Sequence, residues 1–594
     1  MGGITRRNFI NGTLVATGAS MFSIGSSADS VMSKLTPDYY PPARTGLRGS
    51  HPGSNEHAHS RAWTQHSDWG ASTDLKETYD LVVVGGGLSG LAAAYFYQKK
   101  HGVDKKILIL DNHDDFGGHA KRNEHTIDGK TLIGYGGSQS IVNAQHASKL
   151  MVDMFDDIGV DIKRFETAYD RSFYKRNKLG AVTYFDKENF GEDKVVKHPY
   201  CNHPNYLEGL SMGELSHEEA AQQAPLSPEG KQQLLRVLKG AGEGDGAYFD
   251  YLRDTLGVTD PKIMLMARNS TLDWGSAGAD TLSVDEARAA GGMGFPPVEV
   301  YDKNNPYIYH YPDGNAGVAR ALVKKMIPEV GPGKNAEELV VSKFEYATLD
   351  RSQNSVRIRL NSTVVKVQHL GDPGDAGEVS VSYINDNKSY QVKGKGVVMA
   401  CYNMMIPHIV ADLPEDQDAA LRQHVKSPLQ YTNVGLKNWK AIKEIGMGFA
   451  MSPGKMHQAV LMDFPVSLGG YRYTQTPDEP CIIQMIHCPY GAIGAPAQAQ
   501  FKEARYKMLT LQFSDYENEI RGHLSGMFPT DLFDFDRDVS SISVNRWAHG
   551  YAGRSPAVGR RPFGRITIAN SDAAGSADAQ AAMQEGHRAV SELG

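Results

Sequence analysis

The sequence predicts an α/β protein, with a Rossmann-type dinucleotide-binding domain intertwined with an α+β substrate domain. Three stretches carry that expectation. Leu81-Val82-Val83-Val84 runs straight into Gly85-Gly86-Gly87-Leu88-Ser89-Gly90, and near the far end Arg565-Ile566-Thr567-Ile568 runs into Ala569-Asn570-Ser571-Asp572-Ala573-Ala574-Gly575. Each apolar run is short and rich in β-branched residues, as a strand buried on both faces should be, and each leads through a turn into an Ala-rich helical segment. Between them, strand patterns at 357–361, 364–367, 378–383 and 396–400 return the chain to the same sheet through a small antiparallel excursion, with Asn385-Asp386-Asn387 at its hairpin. The two terminal turns are therefore expected to bracket one dinucleotide.

At the N-terminus, Thr5-Arg6-Arg7-Asn8-Phe9-Ile10 has a twin-arginine pattern, and 12–27 is too short and too rich in Gly and Ser to span a bilayer. Residues 1–33 are expected to be an export signal with cleavage between 20 and 33, read by the twin-arginine (Tat) machinery and placing the protein in the periplasm. That route suits a chain folded around its cofactor before export. Residues 34–76 are rich in Pro, Gly and His and predict an irregular arm.

The dinucleotide-binding domain is expected in three pieces, 77–145, 326–410 and 541–594. In the first piece Gly85, Gly87 and Gly90 fall on the G-x-G-x-x-G spacing between a strand and a helix, with Leu88 and Ser89 at the helix start. The glycines serve the tight turn, the close approach of pyrophosphate and the packing of helix on strand, while the helix N-terminus offers free N–H groups to phosphate. A second strand, 106–110, ends in Asp111, which follows Gly90 by twenty-one residues, the spacing at which a carboxylate meets ribose hydroxyls.

The substrate domain is expected over 146–325 and 411–540. Helical patterns at 232–238, 248–256 and 261–269 dominate the first part, and the second mixes strands with helix, as at 498–519. At 594 residues the chain is long enough for two intertwined cores. A net charge of −7 leaves no basic footprint for nucleic acid and bears mainly on solubility. The four cysteines, Cys201, Cys401, Cys481 and Cys488, are few for an exported chain, with Cys481 and Cys488 placed to pair across a hairpin. No C-x-x-C-H occurs, which excludes covalent c-type heme, whereas a b-type heme needs only axial ligands.

Phe116-Gly117-Gly118-His119-Ala120-Lys121-Arg122 and Gly134-Tyr135-Gly136-Gly137-Ser138-Gln139 resemble the two loops with which flavin amine oxidases flank the pyrophosphate and wrap the flavin. The resemblance implies FAD, contacted by Gly117, Gly118, His119, Gly136, Gly137, Ser138 and Gln139, by the backbone of Val364 at adenine and by Asp572 on the ribityl-pyrophosphate side; no cysteine or histidine stands in a motif for flavin attachment, so the FAD is expected to be noncovalent. Together with 46–53 and Tyr311-Pro312-Asp313-Gly314-Asn315, these motifs resemble the bacterial spermidine dehydrogenases over most of the chain beyond the export signal. That family implies oxidation of a polyamine by hydride transfer to flavin, hydrolysis of the imine to aldehyde and amine, and a b-type heme passing electrons onward. A homodimer is compatible with the sequence.

Trp547, His549 and Tyr551, alternating before the terminal strand, are the candidate catalytic residues, either as substrate contacts or as an aromatic cluster packed under the flavin. Asp313 and Asn315 precede a helix through 320–325, which they either cap or supply with a ligand contact. Tyr135 is expected near the flavin and Lys121 near phosphate. His51, His57 and His59 are candidate heme ligands without an assigned pair. Competing readings are a flavin desaturase or amino-acid oxidase and a noncatalytic FAD-binding scaffold. Carboxylates along the tunnel would favour a polyamine, an arginine clamp an amino acid, and bare apolar walls a desaturase.

Overall fold

The computed structural model describes residues 35–593 apart from 214, 241–243, 272–275, 297–305 and 552–556, so the twin-arginine segment lies outside the described residues. At the centre is a five-stranded, wholly parallel sheet in the order Ile566–Ile568, Val397–Met399, Leu81–Val84, Ile107–Leu110 and Val356–Arg359. The strands at 81–84 and 107–110 are buried at every position, which is why they read as unbroken apolar runs. Helix Leu88–His101 packs against both Ala316–Met326 and the C-terminal helix Ala579–Glu592. Gly586 makes the latter crossing close, since a Cβ there would sit 2.7 Å from the Ser89 carbonyl oxygen and 2.8 Å from the Ala93 nitrogen.

A four-stranded sheet holds Thr363–His369, Val379–Asn385 and Lys388–Gly394 as an antiparallel meander, with Thr73–Tyr79 added in parallel at its edge. The expected hairpin turns on Asp386 and Asn387, with φ of 48° and 56°. That left-handed pair gives a two-residue turn whose twist matches the strands. The third sheet has eight strands, in the order Gly46–Gly49, Val539–Tyr551, Ser427–Leu436, Cys481–His487, Ala459–Met462, Met447–Met451, Gly180–Phe185 and Lys194–Val196. Strand 427–436 is buried along its whole length.

Several expectations need correction. The 34–76 arm is not irregular: Gly46–Gly49 pairs in parallel with 543–546, Glu56–Trp63 is a helix, and Thr73–Tyr79 is a strand. These elements are too short for a hydrophobic period and form on distant partners. The domain boundaries move for the same reason. Strand 539–551 belongs to the eight-stranded sheet, so the final return to the parallel sheet begins after it rather than at 541; helix 316–326 already packs on helix 88–101, ahead of 326. The stretch 498–519 is two helices, Ala497–Thr510 and Phe513–Met527, separated where Gln512 and Asp515 form a capping box. None of the four cysteines forms a disulfide; Cys481 opens strand 481–487 and Cys488 follows its far end, so the two cannot pair across a hairpin.

The arm is pinned by charge. Arg48 donates Nη1 to Oδ2 and Nη2 to Oδ1 of Asp114, both at 2.9 Å, and Arg44 adds Nη1 at 2.8 Å. Burial opposes ionisation of Asp114, yet Arg48 and then His51 hold its carboxyl far below the usual range. Arg48→Met is expected to cost about 2 kcal/mol, the loss of charge-assisted bonds with Arg44 still present. Limited proteolysis should then cut faster within 44–72, and thermal melting should register the loss; an unchanged cleavage pattern would separate the arm's docking from this ion pair.

Candidate functional site

The strand ends Val84 and Leu110, with Ala400 and Asn570 just past the ends of two further strands, open together onto one cavity of about 870 Å³. Ligands bind at the carboxyl ends of strands in open α/β sheets, and this volume lies within the range of about 300–1,000 Å³ common for cofactor and ligand sites.

The glycines shape its floor. Gly85 has φ +113°, and a Cβ there would lie 2.7 Å from the Ala400 carbonyl oxygen, so only glycine turns the chain at this point. Gly117 donates its N–H to the Gly86 carbonyl at 2.8 Å, which lays the second glycine loop against the first. Gly137 lies where a Cβ would be 2.6 Å from both the His119 carbonyl oxygen and Trp547 Nε1. Trp547 Nε1 donates to the Gly136 carbonyl at 2.6 Å. Helix 88–101 begins at Gly87 without a side-chain cap, leaving its first-turn N–H groups for an anionic ligand.

Of the residues singled out in the sequence, Gly85, Gly87, Leu88, Ser89, Asp111, Gly117, Gly118, His119, Gly137, Ser138, Gln139, Val364, Trp547, His549, Tyr551 and Asp572 all line this cavity. Gly90 and Gly136 stand behind its wall. Asp111 is fully buried, which raises its carboxyl; Oδ2 accepts from the Gly86 N–H at 2.7 Å and Oδ1 from the His113 N–H at 2.8 Å. Each oxygen can accept one more hydrogen bond.

Other expectations shift. Lys121 donates Nζ to the carbonyls of Asp115 and Phe116, so its ammonium supports the loop from behind instead of meeting phosphate. Tyr135 is fully buried and donates to Gln484, in the core under the third glycine loop. Asn315 occupies the N-cap position of helix 316–326, but neither its side chain nor that of Asp313 bonds the first-turn N–H groups. Asp313 Oδ2 accepts from Arg122 Nη1 at 3.0 Å, and Asn315 Nδ2 donates to Ser138 Oγ at 2.8 Å and to the Ser140 carbonyl at 2.9 Å. Of the arm histidines only His59 lines the cavity, stacked on Trp63 with centroids 4.1 Å apart. His57 faces Trp69 and His51 lies beside Asp114, so the three have separate surroundings.

Sequence reasoning found Asp572 but missed its partner Lys426, and with it the charged centre of the site. Lys426 donates Nζ to Asp572 Oδ1 at 2.6 Å, with both side chains almost fully buried, and Asp572 Oδ2 accepts from the Asn403 N–H at 3.0 Å. Burial opposes ionisation of Asp572, but Lys426 and His424 together hold it below the usual range. The Lys426 ammonium lies 4.8 Å from the Tyr402 ring centroid, and Tyr402 Oη shares a hydrogen bond of 3.0 Å with His119 Nε2. Arg505 Nη1 donates to His549 Nδ1 at 2.7 Å, which leaves Nε2 of His549 as its N–H. Tyr402 could have been found from its place just past a parallel strand; Lys426 precedes a strand with no local signal at all.

The five histidines of the wall, His59, His113, His119, His203 and His549, are all shifted toward the neutral form, mainly by burial. His119 falls to about 3, with Lys426 as the second cause. Arg546, the one arginine among the described lining residues, spends its amino groups on the carbonyls of Ser50, Met508 and Leu511. The lining carboxylates, Asp111, Asp572 and Asp578, lie on segments around the parallel sheet, while Tyr206, Tyr307 and Tyr431 come from the segments expected to form the second domain. Such a site can hold a phosphate-bearing dinucleotide on backbone N–H groups and present an aromatic, uncharged wall to a second molecule.

Residues 83–158 match the family of NAD(P)-binding Rossmann-like domains. Among solved structures, the chain is similar to a candidate protoporphyrinogen oxidase from Exiguobacterium sp. 255-15, at 13% identity and a TM-score of 0.50, over 87% of this chain and 98% of that one. It is also similar to a putrescine oxidase bound to putrescine, at 14% identity and 0.45, over 87% and 99%. Cyclohexylamine oxidase from Brevibacterium oxydans IH-35A gives 13% and 0.47, over 87% and 98%. At these identities the likeness is one of fold. No curated protein matches the sequence.

Proposed function

We propose that this protein is an exported, periplasmic FAD-dependent amine dehydrogenase acting on spermidine or a related polyamine. The observation that carries the reading is the single cavity in which three glycine loops and the Lys426–Asp572 pair meet a wall of tyrosines and neutral imidazoles. Three loops and a terminal turn around one cavity suit FAD better than a nicotinamide dinucleotide, which needs only the first loop and the ribose carboxylate. The residues fit the group: the backbone at Gly87 leaves room that a side chain would fill, and helix 88–101 starts there without a side-chain cap.

FAD, when bound, supplies the hydride acceptor for the C–H bond next to the amine nitrogen. The chain's own task is to bind the amine with its reacting nitrogen neutral, since a neutral nitrogen can support the forming C=N bond with its lone pair. The five uncharged imidazoles add no positive charge to the wall. Tyrosine faces attract the ammonium groups that stay charged. Loss of a hydride from the neutral amine would leave a protonated imine; water adds to its carbon and the C–N bond breaks, giving the aldehyde and a protonated amine.

The described lining carboxylates, Asp111, Asp572 and Asp578, all lie on segments around the parallel sheet, so the polyamine reading is supported by the tyrosine and imidazole wall and not by a carboxylate-lined tunnel; the criteria for the competing readings are not met either. An amino-acid oxidase needs an arginine open to a carboxylate, and Arg546 is occupied by carbonyls. A desaturase would leave bare apolar walls, whereas this wall carries imidazole and phenol groups. A scaffold would fill the cavity. The separate surroundings of His51, His57 and His59 do not supply an axial pair, so heme has no part in the proposed steps. Export rests on Thr5-Arg6-Arg7-Asn8-Phe9-Ile10 alone. The test is to identify the cofactor released on heating and to assay aldehyde formation from spermidine with an artificial electron acceptor. FAD with aldehyde is expected; NAD(P), or FAD without aldehyde from any polyamine, would refute the reading.

A further inference from the structure

The three residues after Asp111, the carboxylate spaced to meet the adenosine ribose, all meet the N-terminal arm. Asn112 Nδ2 donates to the Ser54 carbonyl and, at 3.3 Å, to Asn55 Oδ1. The His113 ring has its centroid 5.9 Å from that of His51. Asp114 accepts from Arg44 and Arg48 through its carboxylate and from Tyr39 Oη, at 2.7 Å, through its carbonyl. The arm is therefore built onto the loop that carries the ribose carboxylate.

The arm helix, Glu56–Trp63, packs on strand 363–369, which carries Val364, and on helix Ile406–Ile409. No residue of the arm helix is fully buried, so it brings little core of its own. Ser50, Asn55, Ala58 and His59 nevertheless line the cavity, as do Asp111 and Val364. A segment with few buried apolar contacts opens at low free energy, and a ligand that fills the space under it adds burial only in the closed state.

We propose that residues 44–63 form the outer wall of the adenosine subsite, a clasp that closes on the adenosine half of the dinucleotide and opens when that half enters or leaves. Arg48 and Asp114 are the positioning pair that keeps the clasp shut. The inference rests on the dinucleotide site of the reading above and is independent of the amine. It requires reciprocity: a ligand on the adenosine side favours the docked arm by the same factor with which the docked arm favours the ligand.

The test uses the full chain, wild type and Arg48→Met, with FAD, ADP and FMN as probes; ADP carries the adenosine half and FMN the flavin half. FAD release from the diluted holoprotein, followed by flavin fluorescence, should be about tenfold faster in Arg48→Met. After removal of the cofactor, ADP should bind Arg48→Met about tenfold more weakly than wild type, while the affinity for FMN stays the same. In wild type, ADP at about ten times its Kd should slow proteolysis within 44–72 about fivefold, and FMN should leave the cutting rate unchanged. Arg48→Lys, which keeps one charged donor, should recover part of each effect. Melting temperature checks that each variant folds.

Unchanged FAD release in Arg48→Met overturns the inference, as does an equal loss of affinity for ADP and FMN, which would mark the ion pair as structural. Protection of the arm by FMN and not by ADP also overturns it, by placing the arm over the flavin half. If the released cofactor is NAD(P), the FAD reading fails alone and the ADP measurements still judge the arm. If FAD is released on heating but neither FAD nor ADP changes the cutting rate, the inference fails and the FAD reading stands.

Discussion

Gly87→Val is expected to yield a folded protein that has lost its cofactor. Gly87 has φ −73° and ψ −179°, extended backbone open to any residue, and a Cβ there would meet only the Gly118 backbone, at 3.6 Å from Cα and 3.9 Å from the nitrogen. The chain therefore tolerates the added carbons. They would instead occupy the cavity at the start of helix 88–101, where the second glycine of the turn lets a pyrophosphate approach the backbone. The visible flavin band per mole of purified protein should fall at least tenfold, while far-UV circular dichroism and yield stay near wild type. Gly85→Val, with φ +113° and the Ala400 carbonyl in the way, should fail to fold, so the pair of variants separates loss of ligand from loss of structure. Full flavin content in Gly87→Val would mean that this turn does not carry the phosphates.

Lys426→Met is expected to destabilise the protein by about 3–5 kcal/mol, the cost of leaving one partner of a buried ion pair uncompensated. The Asp572 side chain is 1% exposed, and only the Asn403 N–H and the neighbouring His424 would remain to support its charge. Asp572→Asn in the same background should recover much of the loss. The pH dependence reports the cause by its sign. In wild type the Asp572 carboxyl lies below its unfolded value of about 3.9, so its contribution is complete above that pH and is lost as pH falls through the folded value. Without Lys426, burial is the larger effect and raises the carboxyl above its unfolded value. The variant should then gain stability relative to wild type as pH is lowered from 7 toward about 4. Chemical denaturation at three pH values measures both slopes; parallel slopes would mean that Lys426 does not hold the Asp572 charge.

How much of this was legible in the sequence depends on whether the signal is local. The strand at 81–84, its glycine turn and the helix beyond are encoded within about twenty consecutive residues, and the Asp386–Asn387 hairpin within four, so both read directly. The arm strand at 46–49 exists only because 543–546 lies beside it, and a four-residue strand with a remote partner has no period to read. Asp313 and Asn315 occupy a position where Asp and Asn usually cap, yet Arg122 and the Ser138–Ser140 loop claimed their side chains first. Tertiary partners there outweighed local preference. The cavity wall away from the glycine loops was hardest: His203, Tyr206, Tyr307, Lys426 and Tyr431 come from separated segments and meet only in the fold.

Anaerobic titration of the purified, FAD-loaded protein with spermidine, with the visible spectrum recorded, decides whether this chain oxidises a polyamine. The flavin band should bleach in proportion to the amine added, with one aldehyde formed per flavin reduced. A flavin that dithionite bleaches but that spermidine, putrescine and spermine all leave oxidised would contradict the polyamine reading.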